Sequence, residues 1–199
     1  TVPQVLEIGD FLRNPEDSWQ VIRAIFYENF GRAEPNIAHK VLAYWEEVGL
    51  LEALITQNID NLHTEAGTRD PIEYHGNSRM LVCTETGTRV PATEDRLASL
   101  PPMSDQGGLL KPDFVFFGEG IPGEAARRAE HAARTADVFL IVGTTGEVHP
   151  AARLPHMAHQ NRATIIEVNT VRTTYTESIA DVFLQGRATE MLSQLNRYI

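Results

Sequence analysis

Thr56-Gln57-Asn58-Ile59-Asp60-Asn61-Leu62-His63, followed by Tyr74-His75-Gly76-Asn77, brings amides, a carboxylate and imidazoles into one short span. An imidazole titrates near neutral pH and can accept and return a proton. A carboxylate or an amide can hydrogen-bond a carboxamide or a base. The apolar run Leu50–Ile55 just before this cluster reads as a buried strand. Polar side chains at the C-terminal end of a strand are where open α/β sheets hold their ligands.

The flanking pattern supplies such a sheet. Asn14-Pro15 reads as an N-cap followed by proline at the first helical position. Trp19, Ile22, Ile25, Phe26 and Phe30 recur at near-helical spacing, which predicts a helix over 15–30. Asn36 caps a second helix with an apolar face of Ala38, Val41, Leu42, Trp45 and Val48, and Gly49 ends it. Strands are then expected at 50–56, 136–142, 164–168 and 182–185, and helices at 150–160 and 188–198, the last with Leu192, Leu195 and Tyr198 inward. Near-continuous apolar strands separated by helices imply an α/β fold, a parallel sheet with helices on both faces. Residues 78–110 break the rhythm with a polar, weakly periodic stretch and read as an insertion or small subdomain.

Each expected strand ends on polar or small residues: Gln57, Asn58 and Asp60; then Gly143-Thr144-Thr145-Gly146; then Asn169-Thr170; then Gly186-Arg187. In a parallel sheet these four ends share one edge, where hydroxyls and glycines let a backbone approach a ribose or phosphate. One Gly-Thr-Thr says little, since turns are commonly polar and glycine-rich. Four such ends together point to a nucleotide site, with plain turn chemistry as the alternative.

Composition narrows the classes. The chain has 199 residues, 42% hydrophobic and 22% charged, enough for one large domain with a real core. A net charge of −10 without a block of Lys or Arg argues against a nucleic-acid surface. Cys83 is the single cysteine, so no disulfide forms within the chain and a reducing, cytoplasmic home is expected. No apolar run has the length of a membrane span. One domain is expected over 1–199.

The motif Thr-Gln-Asn-Ile-Asp-x-Leu-His-x-x-Ala-Gly at 56–67, with His75-Gly76 after it, resembles the sirtuins, the NAD-dependent protein deacylases. The resemblance extends to Pro35-Asn36-x-Ala38-His39, Lys111-Pro112-Asp113-Phe114-Val115-Phe116-Phe117-Gly118-Glu119, Val142-Gly143-Thr144-Thr145 and Glu167-Val168-Asn169, in family order. It implies that NAD and an acyl-lysine protein or peptide meet in a cleft between a Rossmann-like α/β core, residues 49–77 and 111–199, and a small module built from two insertions at about 11–48 and 78–110. In the implied chemistry the acyl oxygen attacks the ribose carbon that bears nicotinamide, nicotinamide leaves, and His75 helps deprotonate a ribose hydroxyl. Gln57 and Asn58 contact the nicotinamide ribose and order a water, and Ile59 and Asp60 bind the carboxamide. Val115, Phe116 and Phe117 line an apolar tunnel for the acyl-lysine stem, although alternate residues of that run also read as core strand. Gly118, Glu119, Glu147 and Val148 flank the substrate as added strands. Gly143, Thr144, Thr145, Asn169, Thr170 and Gly186 bind the adenosine half. The other histidines lack comparable support as catalysts.

The sequence departs from the family pattern twice. The family's structural zinc is held by two Cys-x-x-Cys pairs, which here align with Cys83 and Thr86, and with Met103 and Gln106. Four good donors are needed for a closed tetrahedral zinc, so no metal is expected. The family's opening strand and Gly-Ala-Gly-x-Ser turn, which cradle the pyrophosphate, are not in this sequence. We expect that stretch to lie outside the sequence rather than to be lost, and NAD binding to be badly weakened without it. The expected reaction is NAD-dependent deacylation of protein lysine, yielding nicotinamide and O-acyl-ADP-ribose. Protein ADP-ribosyl transfer or NAD hydrolysis at the same residues is the enzymatic alternative, and a non-catalytic NAD-binding module is the other. Acyl preference, protein substrate and oligomeric state are not legible in the sequence.

Overall fold

The computed structural model describes residues 5–28 and 32–199, so Phe30, expected on the first helix, lies outside the described residues. In chain order the elements are α1 (Ile8–Arg13), α2 (Pro15–Ile22), a π-helical turn (Arg23–Tyr27), α3 (Ile37–Glu47), β1 (Ile55–Thr56), α4 (Leu62–Glu65), β2 (Ile72–Glu73), β3 (Gly76–Cys83), β4 (Arg89–Pro91) and α5 (Glu94–Leu97). They continue as β5 (Leu110–Phe114), α6 (Gly123–Thr135), β6 (Val138–Val142), a 3-10 turn (Ala151–Arg153), α7 (Leu154–Gln160), β7 (Thr164–Asn169), α8 (Thr174–Ser178), β8 (Val182–Gln185) and α9 (Ala188–Leu195). Two compact units result. One comprises Thr1–Glu34, Thr56–Asn61 and His75–Pro122; the other comprises Pro35–Ile55, Leu62–Tyr74 and Gly123–Ile199. These units cut the chain at other places than the expected insertions at 11–48 and 78–110.

The first unit is built on an antiparallel sheet of order β4-β3-β5. Phe11, Trp19, Ile22, Leu81, Leu110, Phe114 and Phe116 form its buried core. Trp19 is fully buried, and its indole N–H donates to the Leu110 carbonyl at 2.9 Å, so the ring buries its area without stranding a donor. The polar composition of 78–110 gave no reason to expect a sheet there, because only Leu81-Val82-Cys83 offers a strand-like apolar run. Tertiary pairing with β5 fixes β3 at its two ends, Gly76 against Phe114 and Leu81–Cys83 against Pro112–Leu110, with an irregular register over the polar residues between. Ile25, expected on the inner face of the first helix, is exposed, and Tyr27 is buried in its place. The cause is the π turn: Glu28 N–H bonds to the Arg23 carbonyl, five residues back, and the extra residue rotates the apolar stripe.

In the second unit β6, β7 and β8 form a parallel sheet. Its strands lie close to the expected 136–142, 164–168 and 182–185. Asn36 caps α3 as expected, its side chain accepting from Ala38 N–H at 2.9 Å. The other face of α3 brings Ala38, Val41 and Trp45 against Leu192 of α9, and the Trp45 indole donates to Asn196 at 2.7 Å. The expected strand over 50–56 shrinks to Ile55–Thr56 and pairs with β2 instead of joining the parallel sheet. Gly49 adopts φ +77°, and the Leu50 and Leu51 amides both turn back to the Trp45 carbonyl, spending those residues on the helix terminus. Val48 and Leu50 are exposed for the same reason. Tyr198, expected inward, lies past the end of α9 and is exposed. No described helix is long and apolar enough to cross a membrane.

Candidate active site

The loop after β1 is held from two directions within the first unit. Thr56 Oγ1 accepts the Asn58 N–H at 3.1 Å. The Ile59 carbonyl takes two bonds from Ser78, one from its N–H at 3.0 Å and one from its hydroxyl at 2.6 Å. Arg79 donates to the Asn61 side-chain oxygen at 2.5 Å, and Asn61 has φ +68°, a left-handed conformation that asparagine tolerates. Ile59 is thereby packed on the core while Asn58 and Asp60 stay exposed. Ser78 and Arg79 were not among the expected site residues. Their position directly after His75-Gly76-Asn77 is the only signal the sequence offers.

His75 sits in the same unit. Its Nδ1 lies 3.3 Å from the Gln57 carbonyl, and its own carbonyl accepts the Val115 N–H at 2.9 Å. A carbonyl only accepts, so this contact assigns the proton to Nδ1 and leaves Nε2 as the basic nitrogen. Burial lowers the imidazole pKa from its ordinary 6.5, and the Gln57 hydrogen bond partly opposes that. The ring is therefore neutral at physiological pH, the state a general base requires.

Val115 to Glu119 alternates between core and surface. Phe116 is buried, with its ring 5.3 Å from those of Phe11 and Phe114, whereas Val115 is half-buried and Phe117 is 63% exposed. The Phe117 backbone is bonded on both sides, its N–H to the Leu6 carbonyl at 2.8 Å and its carbonyl to the Ile8 N–H at 3.0 Å. Gly118 follows with φ +90°. The Glu119 carboxylate turns back to accept the Phe116 N–H at 2.7 Å.

The second unit holds the remaining residues at the C-terminal ends of β6, β7 and β8. Asn169 joins them: its amide donates to the Thr144 carbonyl at 2.9 Å, its side-chain oxygen accepts the Thr170 N–H at 2.9 Å, and its carbonyl accepts the Gly186 N–H at 2.9 Å. Gly143, with φ +65°, donates to the Val168 carbonyl at 3.0 Å. Thr145, Glu147 and Val148 are exposed. Three of the four expected strand ends thus share one edge, and the fourth, at Gln57, belongs to the other unit. Behind that edge Glu167 is fully buried and accepts from the hydroxyls of Thr173 at 2.6 Å and Thr176 at 2.5 Å, fixing the start of α8. Glu167→Ala strands both hydroxyls, and equilibrium denaturation is expected to show a loss of about 2–3 kcal/mol.

The Sir2 family model matches residues 2–150. The chain belongs to the Sir2 family. It is 42% identical over 200 aligned positions to an NAD-dependent protein deacylase of Thermococcus kodakarensis, covering 95% of this chain and 76% of that protein. It is 40% identical to an NAD-dependent protein deacylase of Aquifex aeolicus, over 95% of this chain and 79% of the relative. Among solved structures, Sir2 bound to acetylated peptide superposes with a TM-score of 0.92 at 31% identity, over 98% of this chain and 83% of that one. A complex of Sir2 with p53 peptide and NAD+ gives 0.90 at 32%, over 97% and 81%. The Rossmann-like α/β class follows from these superpositions.

The Sir2-family zinc positions are occupied by Cys83, Thr86, Met103 and Gln106. Cys83 is buried, and hydrogen bonds from Thr86, Glu85 and Ser104 hold its thiol below the ordinary range. Thr86 Oγ1 is engaged with Thr88 at 3.0 Å, Met103 is exposed beside its bridge to Leu109, and Gln106 is exposed. A Cβ on Gly108 would stand 2.7 Å from the Cys83 sulfur, so a glycine backbone closes over the thiol. Among the described residues no group of three His, Cys, Asp or Glu is placed to hold a metal. This donor set does not fit a closed zinc site. Incubation with EDTA is expected to leave the melting temperature unchanged; a drop of several degrees, or stoichiometric zinc in the purified protein, contradicts that.

Proposed function

We propose that the chain is an NAD-dependent protein-lysine deacylase that releases nicotinamide and passes the acyl group to ADP-ribose. The observation that carries this reading is His75 Nδ1 on the Gln57 carbonyl, which ties the base to the loop presenting Asn58 and Asp60. NAD, when bound, supplies the ribose carbon from which nicotinamide departs. Asp60 accepts the carboxamide N–H, Gln57 and Asn58 orient the ribose, and Ile59 packs beneath. His75 Nε2 then takes a proton from a ribose hydroxyl. Gly143, Thr144, Thr145, Asn169, Thr170 and Gly186 receive the adenosine half. Gly118, Glu119, Glu147 and Val148 hold the peptide by main-chain pairing, Val115 and Phe117 line the lysine stem, and Phe116 supports them from the core. The net charge of −10 speaks for a peptide rather than nucleic-acid partner. We further read the enzyme as zinc-free and cytoplasmic.

The test is turnover of a panel of acyl-lysine peptides, with products separated. O-acyl-ADP-ribose with free lysine supports the reading; ADP-ribosylated protein or free ADP-ribose points instead to transfer or hydrolysis. The pH profile has a defined sign. A neutral imidazole is required, so kcat/KM rises with pH through the His75 pKa and is level above it. Because burial depresses that pKa, the midpoint of the rise lies below 6.5. The same shift makes folded His75 hold a proton less tightly than the unfolded chain does, so its contribution to stability falls as pH drops below 6.5 and is flat above. A profile still climbing steeply between pH 7 and 8 contradicts the assignment of His75 as base.

A further inference from the structure

Lys111 on β5 is only 5% exposed and takes no part in the chemistry above. An ammonium has three N–H donors, and three oxygens meet this one: the Pro112 carbonyl at 2.9 Å, the Phe114 carbonyl at 2.7 Å and a Glu119 carboxylate oxygen at 3.0 Å. The Phe116 ring lies 4.2 Å from Nζ, close enough for a cation–π contact. That same Glu119 oxygen accepts the Phe116 N–H. The segment from Phe114 to Glu119 is therefore closed upon one buried cation, which touches its first residue, its last and the ring between them.

Stability alone does not account for a lysine here. Burial costs the charge dearly, as the depressed Lys111 pKa records, with Glu119 opposing the shift. Apolar replacement of a buried ion pair is often neutral or stabilising. What an apolar side chain cannot do is bind the Phe114 carbonyl and the Glu119 carboxylate at fixed points. We propose that Lys111 is a positioning residue for the acyl-peptide site, its ammonium fixing the course of Val115–Glu119 so that Gly118 and Glu119 present a defined edge to substrate. This rests on the deacylase reading, and within it gives the peptide site a determinant separate from the NAD site.

The test compares Lys111→Met, Lys111→Arg and Glu119→Gln with wild type, each checked for folding by circular dichroism and thermal melting. Anisotropy of a labelled acetyl-lysine peptide without NAD is read beside steady-state kinetics. Lys111→Met is expected to weaken peptide binding and raise peptide KM by about tenfold or more, with NAD KM within about twofold. Lys111→Arg, which keeps the charge, is expected to recover part of that loss. Should Lys111→Met fail to fold, Glu119→Gln carries the test, with peptide KM raised and NAD KM held. A folded Lys111→Met or Glu119→Gln variant with wild-type peptide affinity overturns the proposal, as does an equal rise in both KM values. A wild-type protein that binds peptide but yields no deacylated product overturns the deacylase reading, while the binding comparison still decides the role of Lys111.

Discussion

His75→Ala is expected to lower turnover to deacylated peptide by about 10²–10⁴-fold, the range spanned by loss of a positioned general base. The geometry accounts for a loss of that size. Holding Nδ1–H on the Gln57 carbonyl fixes both tautomer and ring direction, so the basic nitrogen needs no reorientation when the proton is transferred. Half-burial keeps the ring uncharged at working pH. When the imidazole bond to Gln57 is lost, Ser78 and Arg79 still hold the loop presenting Asn58 and Asp60, and the Val115 N–H still bonds the backbone carbonyl of residue 75, so peptide affinity of the variant should stay near wild type. The measurement is single-turnover conversion of an acetyl-lysine peptide alongside peptide binding. Equal rates for variant and wild type would overturn the assignment of His75 as the base.

Local pattern reached the fold where local rules govern it. Asn36 was legible as a cap because its side chain acts within two residues, and the strands near 138, 164 and 182 because each is a short apolar run bounded by turn residues. What escaped depends on partners that helix and strand periodicity do not count. β3 begins as early as Gly76 because β5, more than thirty residues on, pairs with Gly76 and again with Leu81–Cys83. Leu50 and Leu51 look like a buried strand until the Trp45 carbonyl claims both amides. One π-turn residue was enough to exchange Ile25 for Tyr27 in the core, a register shift that no 3.6-residue periodicity anticipates. The chemistry-bearing residues were legible by type, but Ser78 and Lys111 were not, because a hydroxyl in a strand and a lysine in a motif have no local signature for what they hold.

Gly76 is the position where a single methyl group should do most damage to the fold. Its φ is +73°, a region that costs an L-residue about 1–2 kcal/mol. Space is the larger obstacle. A Cβ there would lie 2.2 Å from the Asp113 carbonyl oxygen and 2.9 Å from the Phe114 Cα, both backbone atoms of the paired strand β5. Neither can swing away as a side chain would, so β3 and β5 must separate where Gly76 pairs with Phe114. Relief by that route disturbs the Val115 N–H bond to the His75 carbonyl, and with it the base. Gly76→Ala is therefore expected to cost about 3–5 kcal/mol by denaturant unfolding, with turnover lost in whatever folded fraction remains. A variant within 1 kcal/mol of wild type would show that the two strands are not held as closely as this geometry requires. Gly87, also at positive φ but with open space around its Cβ position, is the control. Gly87→Ala bears only the conformational cost of about 1–2 kcal/mol, and turnover should be retained, because what Gly76 secures is the contact between two backbones and not a favourable dihedral alone.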